Sequence, residues 1–228
     1  QGKKVFNQSV MVIGQEKGHG EDFRNGGSVR PWGNAKAQHY MQVAEIANIP
    51  IHTYIFTPGS YPVEDPPGAG QQIARNIYDL SGLRVPAIAV ISEGGSGGAE
   101  AIGLADRRLM LSHGYYSVIS PEGAAAIEGR LREGQRASQE LIEQCARQMK
   151  ITAEDNLRMG YVDHVIQGPE LGARPYHYDF FRSLRQEILR ATDEVVLGVR
   201  GIGLFRNIGA KFRRKRSVDF DYDSTHVR

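Results

Sequence analysis

Cysteine occurs once in this chain of 228 residues, at Cys145. One thiol allows neither an intramolecular disulfide nor a cysteine zinc cluster, and it favours a reducing, cytosol-like compartment. Charge is nearly balanced at +2, which leaves no overall case for nucleic-acid binding. No apolar run approaches the ~20 residues of a membrane span, and no signal peptide is visible, so a cytoplasmic protein is expected. The histidines, His19, His39, His52, His113, His164, His177 and His226, show no metal spacing. Surface or satisfied core positions, and no metal, are therefore expected for them. Hydrophobic residues at 40% and charged residues at 24% are ordinary for a soluble globular protein. The length suits one domain with an appended element. The chain opens on Gln1 rather than Met, which is consistent with a trimmed or processed piece.

Glycine is what the sequence has in abundance, and its placement is informative. From Val85 to Ala105, VPAIAVISEGGSGGAEAIGLA, a buried-strand run feeds a five-residue turn with four glycines that opens into a small-residue helix. Such a junction places several backbone N–H groups on one concave spot, with the positive end of a helix behind them. It suits an oxyanion or a phosphate. A P-loop would need Lys and Ser or Thr after the last glycine, where Ala99 and Glu100 stand. The dinucleotide fingerprint fails too, because Glu100 occupies the position of its third Gly or Ala.

A second unit of the same kind precedes it. Residues 49–56, IPIHTYIF, read as a strand, and TPGSYP follows, with prolines fixing the backbone around Gly59 and Ser60. The stretch Gly68 to Gly82 then carries Ile73, Ile77 and Leu80 at the spacing of one helix face. Right-handed βαβ crossovers make successive strands parallel, so both glycine loops should emerge at one carboxyl edge. Two N–H groups from two such loops can pinch one oxygen.

The remaining pattern is α/β. Residues 9–14 read as a first strand, and Asn34 is expected to cap a helix with Ala37, Tyr40, Met41, Ala44 and Ala47 on one face, ending at Asn48. Arg108 to Leu111 and Tyr115 to Ser120 read as two short extended runs, followed by a helix with Pro121 in its first turn. Residues 135–149 are helical in pattern, Thr152 with Asp155 resembles a capping box, Gly160 ends that helix, and Val162 to Ile166 reads as a strand. Tyr176 to Val195 forms a long amphipathic helix through Phe181, Leu184, Ile188 and Val195, a stripe expected to be core or subunit interface. A basic run at Arg213, Arg214, Lys215 and Arg216, then acidic residues from Asp219 to Asp223, suit a solvated tail better than a site for CoA phosphates or an acidic partner.

Side chains with catalytic potential are few. Glu93 and Glu122 flank glycine-bearing turns and could act as acid or base, but local capping or ion pairing is the favoured reading. Ser96 meets the GxSxG spacing between Gly94 and Gly98, which brings in an acyl-transfer hydrolase. That reading ranks low, because no His has distinctive triad context.

Six segments together carry a resemblance: GQEKG at 14–18, TPGSYP at 57–62, QQIARN at 71–76, EGGSGGAEAIG at 93–103, YSVISPEGAAAI at 116–127 and KITAEDNLRMGYVD at 150–163. In order and spacing they resemble the alpha subunit of the bacterial-type acetyl-CoA carboxylase carboxyltransferase, over roughly residues 5–170. The resemblance implies a crotonase/ClpP-like fold of repeated ββα units, with a core at 1–170 and a C-terminal helix and charged tail at 171–228. It implies transfer of a carboxyl group from carboxybiotin to acetyl-CoA, giving malonyl-CoA, with biotin on a separate carrier protein. A beta-type partner with a zinc ribbon, and an assembly of two alpha and two beta chains, are implied with it.

Negative charge develops on the ureido oxygen when carboxybiotin releases its carboxyl group, and prepositioned N–H donors stabilise it there. The ureido nitrogen itself can take the acyl-CoA proton, so no His or Glu base is required. The donors implied are backbone N–H groups of Gly59 or Ser60 and of Gly97 or Gly98. Gly94, Gly95, Ser96 and Ala99, with Pro121, Glu122 and Gly123 of the next helix start, are the residues expected to line the substrate. The chain departs from the family at Val63 to Pro67, at Glu100, where Leu is common, and across Glu21 to Gly33. A biotin-dependent acyl-CoA decarboxylase subunit and a non-catalytic assembly partner of the same fold are the alternatives.

Overall fold

A computed structural model describes residues 9–17, 24–61, 63, 68–132, 134–169 and 172–199. The basic run at 213–216, the acidic residues after it, His19, His226 and residues 64–67 lie outside the described residues. Five strands, β1 (Met11–Gly14), β2 (Ile51–Thr57), β3 (Ala87–Gly95), β4 (Arg107–Ser117) and β5 (His164–Ile166), form one parallel sheet in chain order. Parallel neighbours in sequential order carry every strand-to-helix junction to the same edge of the sheet.

Helices α1 (Pro31–Ala47), α2 (Ala69–Gly82) and α3 (Ser96–Gly103) pack side by side on one face. Met41, Ala44, Leu80 and Ile102 bury themselves there against Ile51, Ile55, Ile91 and Met110. The opposite face is closed by α7 (Tyr178–Val199), whose Ile188, Ala191 and Val195 meet Ile88, Val90, Leu109, Leu111 and Ile166. In β3 the alternation is visible: Ile88 and Val90 face α7, while Ala89 and Ile91 face the three-helix layer. A central parallel strand covered on both sides must be apolar throughout, as AIAVI is. Three short helices, α4 (Pro121–Glu128), α5 (Gln139–Met149) and α6 (Ala153–Met159), connect β4 to β5. Among the described residues no helix is long and apolar enough to cross a membrane.

Each long strand is bent. Pairing of β2 with β3 shifts register between Ile55 and Phe56, and pairing of β3 with β4 jumps from Ile91–Met110 to Glu93–Tyr115. A stem followed by a short distal limb thus replaces two separate extended runs in β4, because the intervening residues bulge without leaving the strand. The distal limbs carry Phe56, Thr57, Gly94 and Gly95 out to the glycine loops.

Several local expectations change. Helix α1 begins at Pro31, not at Asn34: proline pre-sets the backbone of the first turn, and Asn34 lies inside the helix at 3% exposure. Its buried face runs through Ala37, Met41 and Ala44, leaving Tyr40 and Ala47 outside. In α2 the buried face is Ala69, Gln72, Asn76 and Leu80 rather than the Ile73–Ile77 line, a rotation explained by the amides below. Helix α5 starts at Gln139, after a Ser138 cap, so residues 135–138 are not helical. On α7, Phe180 packs inward while Phe181 is exposed. The Thr152 cap, which accepts from the Asp155 N–H, and the left-handed Gly160 stop are as expected.

Candidate functional site

The five-residue turn is in fact a junction with no loop. Gly94 and Gly95 are the last residues of β3, Ser96 is the first of α3, and Gly97 and Gly98 lie in its first turn. All the reversal falls on Ser96, whose φ is +54°. That conformation costs an L-residue about 1 kcal/mol. None of the four glycines around it has positive φ, so backbone freedom is not what they supply.

They supply space. A Cβ on Gly95 would lie 1.9 Å from the Pro58 carbonyl oxygen, and one on Gly98 would lie 2.4 Å from that of Gly59. The two glycine loops therefore touch backbone to backbone, at the same sheet edge. Gly97 is less confined: its Cβ position is 3.2 Å from Ser60 Oγ and 3.4 Å from Ile73. Ser60 Oγ and Ser96 Oγ meet across the seam at 3.3 Å. No side chain caps α3, and the N–H groups of Gly97 and Gly98 stand in its first turn, where no helical carbonyl can reach them. Ala99 is fully buried behind them.

Side chains brace this seam. Thr57, wholly buried at the end of β2, holds its hydroxyl 2.9 Å from the Gly27 carbonyl and 3.0 Å from that of Gly59, and accepts a long bond of 3.3 Å from the Gly59 N–H. Gln15 donates to the Gly98 carbonyl at 2.6 Å. Asn76 donates to the carbonyls of Asn34 in α1 and Ala101 in α3, while Gln72 donates to Asn76 and to Gln38. Burial of Gln72 and Asn76 is thus satisfied by bonds that tie three helices together, which is why these polar residues, and not Ile73 and Ile77, face inward.

Glu93, at the base of the junction, is neutralised. Lys17 Nζ reaches both its carboxylate oxygens at 2.5 and 2.7 Å, and the Tyr115 hydroxyl donates to one of them at 2.8 Å. Burial pushes the Tyr115 phenol up, and the hydrogen bond and charge of Glu93, then the charge of Glu122, push the same way. Of the capping or ion pairing expected for Glu93, the structure shows ion pairing. Glu122 sits exposed in the first turn of α4, where Pro121 occupies the first position and the Gly123 N–H donates to the Ser120 cap at 3.1 Å. The structure places Pro121, Glu122 and Gly123 beyond the distal limb of β4, whose Ser117 is in register with Gly95.

No described histidine bonds to Ser96. His52 pairs with Thr192, His164 lies 3.6 Å from Glu187, and His177 accepts from the Arg174 N–H. A hydrolytic triad is therefore not assembled among the described residues. Gln15, Lys17, Thr57 and Tyr115 had no assigned role in the sequence reading, although the first two lie within the GQEKG segment and Thr57 opens TPGSYP.

A family profile described as "Acetyl co-enzyme A carboxylase carboxyltransferase-like" matches residues 3–211. The chain belongs to this family. Acetyl-coenzyme A carboxylase carboxyl transferase subunit alpha of Flavobacterium psychrophilum is 42% identical over 201 residues, covering 84% of this chain and 60% of the relative. The same subunit of Marinomonas sp. is 44% identical over 198 residues, covering 84% and 61%. The chain thus spans about three fifths of the length of these curated relatives.

Solved structures agree on the fold of this carboxyltransferase-family chain. A Pseudomonas malonate decarboxylase hetero-tetramer in complex with coenzyme A contains a chain matching with a TM-score of 0.63 at 18% identity, over 96% of this chain and 89% of its own. Transcarboxylase 12S, with methylmalonyl-coenzyme A and methylmalonic acid bound, matches with a TM-score of 0.58 at 21% identity, over 77% and 33%. The α/β, crotonase-type architecture expected from the resemblance is the one found.

Proposed function

We propose that this chain is the biotin-side half of an acyl-CoA carboxyltransferase, which passes a carboxyl group from carboxybiotin, held on a separate carrier protein, to acetyl-CoA or a related acyl-CoA. The observation that carries the reading is the backbone contact between the two glycine loops, with Gly95 on the Pro58 carbonyl and Gly98 on that of Gly59. Carboxybiotin supplies the carboxyl group and, on releasing it, a negative charge on its ureido oxygen.

This chain's residues suit that charge. The N–H groups of Gly97 or Gly98 supply donors from the start of α3, and the neighbouring loop supplies that of Ser60, or that of Gly59 once it gives up its long 3.3 Å bond to Thr57 Oγ1. A Cβ on Gly97 would crowd Ser60 Oγ at 3.2 Å and Ile73 at 3.4 Å, so a larger side chain there would cover the start of α3. Pairing with Lys17 keeps the Glu93 charge from opposing a developing oxyanion. Ser96, Pro121, Glu122 and Gly123 keep the exposure that walls of the proposed site need, whereas Gly94, Gly95 and Ala99, expected to line it, are buried behind the seam and act as its packing. The acyl-CoA half of the reaction falls to a beta-type partner carrying a zinc ribbon, in an assembly of two chains of each kind working in the cytoplasm.

The test reconstitutes the chain with its partner and free biotin or biotinylated carrier, and follows malonyl-CoA-dependent carboxyl transfer. Gly97→Val should lower kcat by about 10²-fold or more, the effect typical of losing one oxyanion donor, while thermal unfolding stays cooperative. Undiminished transfer by Gly97→Val and Gly59→Val would refute the reading.

A further inference from the structure

The junction puts a serine at the one place where its backbone asks for glycine. Gly94, Gly95, Gly97 and Gly98 all have ordinary φ, whereas Ser96 alone is left-handed at +54°. Glycine there would relieve the conformation at no steric cost. A side chain held against that preference needs a use, and among the described residues it bonds to the hydroxyl of Ser60, 3.3 Å away in the opposing loop.

Two hydroxyls carry two hydrogens, and their mutual bond occupies one. Among the described residues no other hydrogen bond takes the second. Both residues are half-buried, so the remaining hydrogen is neither sealed in the core nor fully exposed. The pair lies at the seam, where Ser60 Oγ stands 3.2 Å from the position a Cβ on Gly97 would take.

We propose that Ser96 is a catalytic hydroxyl donor: its O–H is directed to the same charged oxygen as the backbone amides, and the Ser60 O–H donates to Ser96 Oγ. Ser60 is then a positioning residue, which polarises the Ser96 hydroxyl through a two-link chain. No bond is made or broken at either serine. Hydroxyl donation sharpens the site for a ring carbonyl that gains charge, since donors count most where charge appears during reaction. The inference rests on the carboxyltransferase reading.

Three variants test it in the reconstituted complex with free biotin, alongside melting of the chain alone. Ser96→Ala removes only the hydroxyl and keeps the strained backbone; kcat should fall at least tenfold, with KM for the acyl-CoA unchanged and Tm within about 1 °C. Ser96→Gly should show the same kinetic loss while Tm rises by roughly 2–4 °C, the shift expected from relief of one left-handed residue in a domain of this size. Ser60→Ala should give a smaller loss that vanishes in the Ser96→Ala background. Wild-type kcat in Ser96→Ala, or a loss confined to Ser96→Gly, overturns the proposal, as does a Ser60→Ala effect that persists without Ser96. If Gly97→Val is silent as well, the carboxyltransferase reading itself has failed; if Gly97→Val is impaired while Ser96→Ala is not, only the hydroxyl proposal falls.

Discussion

Gly95 and Gly59 face each other across the seam, yet one atom added to each has opposite consequences. A methyl group on Gly95 must displace the Pro58 carbonyl, 1.9 Å away, and rigid backbone cannot yield cheaply. Gly95→Ala should therefore destabilise the chain by about 1–3 kcal/mol, the usual range for overpacking, read as a lower denaturant midpoint. Gly59→Ala meets only Ser96 Cβ, at an ordinary 3.8 Å, and should leave the midpoint within about 0.5 kcal/mol. Equal effects would mean the two loops are not in backbone contact. Composition alone marks all these glycines alike. What separates them is the approach of a second chain segment, which no local pattern encodes.

At the scale of elements, polar bonds decide orientation. Asn76 is fully buried and holds carbonyls of both α1 and α3. Asn76→Ala strands those two acceptors and opens a small void, so a loss of about 2–4 kcal/mol is expected by urea unfolding. Helix α3 should loosen with it, visible as faster amide exchange in residues 96–103. Thr152→Ala, which deletes a cap exposed at the surface, should cost only about 1 kcal/mol. Helix existence was legible because apolar spacing and stop signals are local: Gly160, Thr152 and Pro121 all act within one turn. The facing of α2 was not, because Gln72 and Asn76 look like surface residues until Gln38, Asn34 and Ala101 arrive to pair with them. The start of α1 was missed for a related reason: Asn34 has the chemistry of a cap, but Pro31 had already begun the turn.

For the whole molecule, the attachment of α7 to the sheet contains a titratable group. His52 on β2 is 5% exposed and shares a 2.9 Å hydrogen bond with Thr192 on α7, whose hydroxyl also donates to the Ile188 carbonyl. Burial lowers its pKa from 6.5 to about 4. The unfolded chain therefore binds a proton that the folded chain refuses between those values. Stability from this residue is complete above pH 6.5, declines as pH falls toward 4, and changes no further below, a total of about 3 kcal/mol. Melting temperature compared between wild type and His52→Gln should diverge across that window and run parallel outside it. Parallel curves throughout would show that His52 is not sealed beneath α7.

The chain's order of strands and helices, its capped and glycine-stopped helix ends, and its family membership were determined by sequence, because strand runs, turn residues and motif spacing act over a few positions at a time. Only the tertiary structure decided that the turn after β3 collapses onto Ser96, that Gly95 and Gly98 lie on the carbonyls of Pro58 and Gly59, and that Lys17 silences Glu93. Each is a meeting of segments distant along the chain, brought together by parallel pairing and helix packing. The energy of such meetings resides in contact geometry that neither segment carries alone.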